Sequence, residues 1–585
     1  MLNKTLDAES EKTKIIAFEN DGKKIISHLL SLQVELPNKS DQLSNFIYEL
    51  DKEKHINFLE SCYEALLKKA DVFRVAHLMK SSFQLIEEIQ IKLLVDILEI
   101  FTEKMKGDMT SGLFHEAIQV TAKTNFEFAN NIELEIKQRT NIDLYGYLLV
   151  VYRGVSEANF ALAYTKILAL INDHNLGIKS YGLRGLGDLG VEIHSYKKEV
   201  VEILKNYNKH ENRQVLSNSS YATFRHLHNF EELIEEVKLL SISDLGGVQF
   251  ELAVYLMREE KNLNDWQQEL LLNLFGRVRS EKKEVTNILD ITLYSLVKKS
   301  KDFEFAKKVL NKWVSSRETR EILKYKLDNT FPMTFPVFFT NNDFVSLLLA
   351  EWFNQDESKF HKATSAFVDY MKLHKIPPVY LQSDYIASLD FESSLYVIRK
   401  ILGYTYDFDY TATFIYSFFS VQDTDSKLYH LISSVLIEHL GYNYPHKTIS
   451  YLELKRQGES NDLALKSIEL VLAELSARIS QLRKLPRISE LQPENDIVLK
   501  IEKKRQKSFS KAMESAREGS FFNFVTKITI KEGKSWFSYM HGKYSDVSTM
   551  TSFSDSIELP RADVLDVVGA SMERQGFRMA KRGSE

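Results

Sequence analysis

The chain has 585 residues, of which 44% are hydrophobic and 27% are charged, and its formal net charge is −5. This apolar fraction excludes wholesale disorder, and the single cysteine, Cys62, excludes an intramolecular disulfide and a cysteine-based zinc site. The 22 glycines and 9 prolines fall below the average usage of about 7% and 5%, which argues against a turn-rich all-β architecture.

The sequence predicts a cytoplasmic protein without a membrane span. Its N-terminal segment is charged throughout and lacks the apolar core of about 7–15 residues that a signal peptide needs. The longest uncharged stretches, residues 329–342 and 411–422, are shorter than the roughly 20 residues of a spanning helix. A single thiol also fits a reducing compartment.

The first part of the chain predicts helix after helix, as an N-terminal helical region (residues 1–140) and a repeat region (residues 141–330). Residues 38–331 contain no proline, a residue that breaks a helix interior at a cost of about 3 kcal/mol. Apolar residues recur at helical spacing, for example from Leu94 to Phe101. Paired amphipathic helices without intervening strands predict a mainly α fold of the α-solenoid type.

The segment 180–227 comes closest to a named repeat. Leucines and glycines alternate from Leu183 to Gly190, a helical pattern follows at 200–204, and a further amphipathic stretch ends at Leu227. Small residues and leucines at such positions let two helices approach closely. The segment resembles the HEAT-type and armadillo-type helical repeats over one or two repeats, less than a fifth of the chain. This resemblance implies stacked helix pairs.

The same segment contains a literal match to the dinucleotide-binding motif G-x-G-x-x-G, at Gly185, Gly187 and Gly190. That motif binds pyrophosphate only when a strand precedes it within a βαβ unit. Here the preceding residues 175–180 are few and broken by glycine, and helical patterns follow. The sequence therefore favours close helix packing at these glycines over a phosphate-binding loop.

A second helical domain is predicted at residues 331–494. Two prolines and several turn residues interrupt the helical pattern at 328–336 and mark the boundary. Helical spacing then resumes, and residues 380–440 are rich in aromatic side chains. These residues predict a helical domain with a bulky core.

A long heptad-patterned helix is predicted to close this domain. Its apolar seam consists of Leu465, Ile468, Leu472, Leu475, Ile479 and Leu482. The seam covers almost three heptads, whereas a coiled coil usually sustains three or four. We favour a helix packed on its own domain and retain a dimerising coiled coil as the alternative.

The tail, residues 495–585, differs in character. Residues 500–585 carry 16 basic and 11 acidic side chains, whereas the chain as a whole is acidic. A basic helix opens the tail, and alternating apolar and polar residues at 524–531 predict a strand, with a second strand around Trp536. The complete prediction is a mainly α chain, an α-solenoid of paired amphipathic helices, with a small C-terminal β-containing (α+β) module.

This tail also contains the candidates for nucleic-acid binding, because lysines pair with phosphates and aromatic rings stack on bases. The candidates are Lys503, Lys504, Arg505, Lys507, Lys511, Trp536 and Tyr539. The alternative, which the modest net charge favours, is that the aromatic residues form the core of the module itself.

Evidence for catalysis is weak. Glu453 and Lys455 form the E-x-K fragment that resembles restriction-type nucleases, where the carboxylate binds Mg²⁺. Such a site needs a further acid on a preceding strand, and only Asp423 or Asp425 could serve. The chain has no P-loop, nucleophile elbow or kinase motif, and Cys62 lies in an apolar stretch typical of a buried thiol. We therefore expect that the protein is not an enzyme and that it binds no cofactor or metal. Glu453 and Lys455 are then a pair of opposite charges on the surface.

Three functional hypotheses follow. The first is a non-enzymatic helical-repeat scaffold that binds protein partners along its concave face, as one subunit of a multi-protein bacterial system. The second is a nucleic-acid-associated component that uses the basic tail, in an accessory system such as antiphage defence. The Lys-, Asn- and Ile-rich composition, typical of an AT-rich bacterial genome, suggests that setting. The third is a metal-dependent nuclease.

Overall fold

The computed structural model describes residues 6–19, 21–36, 40–105, 112–260, 263–420, 426–485, 499–500, 503, 535–536, 539–540, 543–544, 548–549 and 560–583. These residues are predominantly α-helical and divide into two compact units, 1–292 and 293–585. None of the described helices combines the length and the apolar character needed to cross a bilayer.

The first unit consists of short helices of similar length. Its α-helices are α1 (Ala8–Ile16), α2 (Gly22–Glu35), α3 (Ser40–Lys52), α4 (Phe58–Leu67), α5 (Val72–Ser82), α6 (Ile91–Lys104), α7 (His115–Thr124), α8 (Phe126–Lys137), α9 (Tyr145–Ala158), α10 (Phe160–Ile171), α11 (Leu176–Asp188), α12 (Lys197–Tyr207), α13 (Arg213–His226), α14 (Ile234–Ser241), α15 (Gly246–Arg258), α16 (Asp265–Arg277) and α17 (Lys283–Ser300), which crosses the unit boundary. Short 3₁₀ turns lie at Phe83–Leu85, Ile142–Leu144, Val191–Tyr196 and Glu231–Leu233.

Helices two positions apart in the chain pack against each other in this unit. One row contains α2, α4, α6 and α8, and a second contains α7, α9, α11, α13 and α15. Consecutive helices also pack, such as α10 on α9 and α11. These contacts join near neighbours in the chain and bury the leucine and valine faces that helical spacing predicts. The arrangement is a stack of helix pairs, compatible with a helical-repeat solenoid.

Asparagine side chains begin several of these helices. Asn125, Asn159, Asn175 and Asn212 precede α8, α10, α11 and α13, and each side-chain oxygen accepts a hydrogen bond from a backbone N–H of the first turn. An N-cap of this type stabilises a helix by about 1 kcal/mol. Asparagine therefore occurs in the turns between helices, where the helical pattern stops, as at residues 172–175.

The glycines of the G-x-G-x-x-G match pack helices together. Gly185 and Gly187 lie inside α11, where a Cβ atom on Gly187 would come within 2.8 Å of the Ala222 Cα atom in α13. A Cβ atom on Gly185 would come equally close to the Leu149 side chain of α9. The preceding element is the helix α10 and not a strand. Close helix packing is confirmed, and the geometry of a phosphate-binding loop does not form.

The second unit is also helical. Its helices are α18 (Phe303–Ser315), α19 (Thr319–Lys324), α20 (Leu327–Thr330), α21 (Phe335–Phe338), α22 (Asn342–Phe353), α23 (Ser358–Leu373), α24 (Ser383–Ala387), α25 (Phe391–Tyr404), α26 (Phe408–Tyr416), α27 (Ser426–Val435), α28 (Pro445–Arg456), α29 (Asp462–Lys484), α30 (Arg561–Leu565) and α31 (Val567–Met579). A 3₁₀ turn lies at Ser417–Ser420 and a π-helical turn at Leu436–Gly441.

Aromatic side chains fill the core of this unit. The Phe335 ring packs edge-on against Phe367 with centroids 4.7 Å apart, and Trp352 packs edge-on against the same ring at 5.4 Å. All three side chains are fully buried. Most of the aromatic residues of 380–440, from which the sequence predicts a bulky core, are buried as well, among them Tyr396, Phe414 and Phe418.

The heptad-patterned segment forms the single helix α29. Its first half packs on α27 and α28 and buries Ile468, Leu472 and Leu475. Farther along, Leu482 is 41% exposed. The first half of the apolar seam therefore packs on the helix's own unit. The dimerising alternative concerns only the exposed final turns.

The predicted β-containing module finds no support in the described part of the tail. Strand backbone is described only as residue pairs, with Ser535–Trp536 antiparallel to Ser548–Thr549 and Tyr539–Met540 antiparallel to Lys543–Tyr544. Pairings of two residues are too short to be independently stable. The predicted strand at 524–531 lies outside the described residues. The chain ends instead in two helices, α30 and α31, which the sequence patterns did not predict.

Candidate protein-interaction site

The two nuclease candidates lie on a helix. Glu453 and Lys455 belong to α28, where the sequence suggested a preceding strand. Side chains two residues apart on a helix diverge by about 200°, so this carboxylate and ammonium do not face one site. Asp423 and Asp425 lie outside the described residues. Among those that are described, no group of three His, Cys, Asp or Glu side chains is arranged to hold a metal ion.

Lys455 instead lies among three tyrosine rings. Its Nζ atom is 4.9 Å from the ring centroid of Tyr380, 5.2 Å from that of Tyr451 and 5.6 Å from that of Tyr416. It also donates a hydrogen bond to the Tyr380 hydroxyl. Burial raises the pKa of Tyr416 and Tyr451, so both rings remain neutral. This cation–π cluster joins α28 to Tyr416 of α26 and to Tyr380 in the segment before α24, and it gives Lys455 a structural role.

The nucleic-acid candidates are barely described by the structure. Lys503 is exposed. The other basic candidates, Lys504, Arg505, Lys507 and Lys511, lie outside the described residues. For Trp536 and Tyr539 only the backbone is described, and that backbone is extended. Nucleic-acid binding by the tail therefore remains a prediction.

Another group of side chains is brought together by the second row of helices in the first unit. α9, α11, α13 and α15 lie side by side and contribute charged and aromatic groups that contact one another from helix to helix. We call this group the arginine–tyrosine ridge, and it consists of Arg153, Arg184, Asp188, Tyr221, Arg225, Glu251 and Arg258.

Asp188 is the central acceptor of the ridge. Its Oδ2 atom pairs with the Arg153 guanidinium of α9 at 2.8 Å, and its Oδ1 atom accepts a hydrogen bond from the Tyr221 hydroxyl of α13 at 2.5 Å. The Asp188 side chain is only 13% exposed. Burial raises the pKa of Tyr221 to about 12, so its hydroxyl stays protonated and can donate this hydrogen bond. One carboxylate thus connects three successive helices of the row.

Arg184 extends these contacts to the next helix. Its guanidinium carbon lies 4.4 Å from the centroid of the Tyr221 ring, a cation–π geometry. The same guanidinium lies 3.7 Å from the Glu251 carboxylate of α15. Burial raises the pKa of Glu251, and the charges of Arg184 and Arg258 partly oppose that shift. The two carboxylates of the ridge are therefore less exposed to solvent than its arginines.

The outer surface of the ridge is formed by guanidinium groups. Arg225 and Arg258 are exposed, and the side chains of Arg153 and Arg184 are 42% and 43% exposed. The ridge contains four arginines and two carboxylates, and the neighbouring Glu157 carboxylate, which also interacts with Arg153, is paired with Lys123 at 2.9 Å. Each guanidinium group is planar and donates two parallel hydrogen bonds to a single carboxylate. The exposed surface is therefore complementary to a group that carries negative charge.

The sequence patterns do not point to this site, although the segment 183–190 contains part of it. Arg184 and Asp188 fall in this segment, but only its leucines and glycines form a recognisable pattern. Their partners Tyr221 and Glu251 lie on later helices, and no local pattern pairs them. The available signal was the i, i+4 spacing of polar residues on successive helices, Arg184 with Asp188 and then Tyr221 with Arg225.

No protein-family model matches the chain, and no curated protein matches it in sequence. The likeness to HEAT-type and armadillo-type repeats therefore rests on the residues of segment 180–227 and on the stacked helix pairs of the first unit.

Proposed function

We propose that the protein is a non-enzymatic scaffold whose first unit binds a partner protein through the arginine–tyrosine ridge. The partner surface would carry Asp or Glu side chains that pair with Arg153, Arg184, Arg225 and Arg258. The observation that carries this proposal is the row of exposed guanidinium groups on α9, α11, α13 and α15, in which the Asp188 carboxylate pairs with Arg153 and Glu251 lies beside Arg184.

Two physical arguments support a protein ligand. Arginine and tyrosine are the side chains most enriched at the energetic centres of protein interfaces, because they combine large contact area with directional donors. Stacked helix pairs also present one extended surface to a partner, because each repeat contributes neighbouring positions. Asp188 and Glu251 position the guanidinium groups of Arg153 and Arg184 before binding, which lowers the entropic cost of association.

The experiment compares two charge reversals on one helix. Arg225→Glu changes an exposed ridge residue at the end of α13, and Arg213→Glu makes the same charge change at the exposed start of that helix. Each full-length variant is used to capture partners from the producing cells after nuclease treatment. Placing like charges opposite each other should weaken partner recovery at least tenfold for Arg225→Glu.

The control variant defines the contrary result. Arg213→Glu should recover the partner as the unmodified chain does. Equal recovery by both variants would place the binding surface elsewhere, and a loss of all recovery on nuclease treatment would favour the nucleic-acid hypothesis.

A further inference from the structure

The C-terminal segment, residues 560–583, lies against α25 in the second unit. α31 packs along α25 with its Ala570 and Phe577 face inward, and the Phe577 ring meets His439 edge-on at 5.1 Å. We call the surface beneath this segment the C-terminal groove, and it consists of Tyr396, Lys400, Gly403, Tyr404 and Tyr406.

Lys400 makes the central contact of the groove. The residue is 3% exposed, and its Nζ atom donates hydrogen bonds of 2.7 Å to the carbonyl oxygens of both Arg578 and Ala580. Carbonyls at the end of a helix have no intrahelical donor, and a cation there also interacts favourably with the helix dipole. The partners of this buried ammonium are thus backbone carbonyls of the segment. Through them, Lys400 recognises the end of a helix.

Three arginines of the segment are spaced four residues apart, so they follow one another along α31 and just beyond it. Each guanidinium carbon lies over a tyrosine ring: Arg574 over Tyr406 at 5.9 Å, Arg578 over Tyr404 at 5.5 Å and Arg582 over Tyr396 at 4.9 Å. A cation–π contact of this type contributes about 0.5–1 kcal/mol at an exposed site. The repeated pairing gives the groove a specific register.

Close backbone approach adds a further requirement. Arg578 donates its Nε hydrogen to the Gly403 carbonyl oxygen at 2.8 Å. A Cβ atom on Gly403 would lie 3.0 Å from the Arg578 backbone nitrogen and 3.2 Å from the Phe577 Cβ atom. At the end of the segment, Arg582 donates to the Asp356 carboxylate at 2.9 Å. A larger residue at position 403 would therefore push the segment away.

The segment is held mainly by these polar contacts. Apart from Phe577, its larger apolar side chains point away from the groove, since Val568, Met572 and Met579 are 69%, 71% and 68% exposed. Non-specific apolar burial therefore explains little of the docking. The groove distinguishes its ligand by arginine spacing and by the free carbonyls of a helix end.

We propose that the C-terminal groove is a peptide-recognition site for a helix with arginines at four-residue spacing, and that the C-terminal segment of a second copy of this chain occupies it when the chain's own tethered segment is released. Every contact described above is made by residues 570–582 themselves. Residues 486–559 separate this segment from α29 along the chain. The same segment from another copy would therefore make identical contacts, and this inference does not depend on the partner proposed for the ridge.

Two full-length variants test the exchange. The receiver carries Arg574→Gln, Arg578→Gln and Arg582→Gln, so its groove is intact and its own segment is weakened. The donor carries Lys400→Glu and Gly403→Leu, so its segment is intact and its groove is blocked. Analytical ultracentrifugation should show a one-to-one complex only when donor and receiver are mixed. The matched control is a donor that also carries the three glutamines, and it should form no complex with the receiver.

A second measurement, which needs only the receiver, keeps the test decisive if the donor variant folds poorly. A fluorescent peptide of residues 560–583 should bind the receiver at least about tenfold more tightly than the unmodified chain, whose groove is occupied by the tethered segment. Absence of a mixed complex from folded variants would overturn the proposal. Equal peptide binding by the receiver and the unmodified chain would overturn it as well.

Discussion

The Tyr221 hydroxyl of α13 donates a hydrogen bond to the carboxylate of Asp188 at the end of α11, across an oxygen–oxygen distance of 2.5 Å. The same tyrosine ring supports the guanidinium group of Arg184. A single side chain thus joins the acceptor of the ridge to one of its exposed cations.

Removing the hydroxyl tests that relationship. Tyr221→Phe keeps the ring beneath Arg184 and deprives Asp188 of one donor, so local stability should fall by about 1 kcal/mol. Hydrogen exchange of the backbone amides in α11 and α13 measures this loss as faster local opening. Tyr63→Phe in α4 is the control, because the Tyr63 hydroxyl makes no hydrogen bond within the described residues. Unchanged exchange in Tyr221→Phe would show that the hydroxyl contributes nothing.

A pair of glycine substitutions tests the close helix packing. Gly187→Ala would place a Cβ atom 2.8 Å from the Ala222 Cα atom, so we expect a loss of about 1–3 kcal/mol. Gly146→Ala in α9 meets no atom closer than 4.0 Å and should be neutral or stabilising by up to about 1 kcal/mol. Urea-induced unfolding of the two variants measures the difference. Similar stabilities would contradict the packing argument.

Glu251 makes stability depend on pH. Burial raises its pKa in the folded chain above the ordinary value of 4.5, so the folded state binds this proton more tightly than the unfolded state. Its stabilising contribution is complete below pH 4.5 and is lost as the pH rises through the folded pKa. Glu251→Gln should therefore raise the free energy of unfolding at pH 7 and flatten its pH profile above pH 4.5. A steeper profile in this variant would contradict the assignment.

The E-x-K residues offer a contrast between an exposed and a packed side chain. Lys455→Ala removes three cation–π contacts and should lower the free energy of unfolding by about 1–2 kcal/mol. Glu453→Ala changes an exposed residue and should alter stability by less than about 0.5 kcal/mol. Thermal unfolding compares the two. A loss of Mg²⁺-dependent nucleic-acid cleavage in Glu453→Ala would revive the nuclease hypothesis.

Helices in this chain were predictable because their signals are local. The proline-free stretch 38–331, asparagine caps and apolar spacing act within a few residues of each helix, and tertiary packing agrees with them. The buried thiol of Cys62 followed from the same apolar pattern and is confirmed, since the residue is fully buried in α4.

The C-terminal helices and the ridge depend on distant contacts. α31 contains Gly569 and Gly576, and its larger apolar side chains are mostly exposed, so its sequence lacks a core-facing stripe. Its position depends on Lys400, far away in the chain. The ridge likewise depends on pairs such as Asp188 with Tyr221, which only the stacking of helices brings together.

Photo-crosslinking from the ridge is the most direct test of the scaffold function. A photoreactive amino acid replaces Arg225 in one full-length chain and Arg213 in another, and both are irradiated in the producing cells. Our account predicts a covalent protein adduct from position 225, identifiable by mass spectrometry, and none from position 213. An adduct from position 213 alone, or a nucleic-acid adduct at position 225, would contradict it.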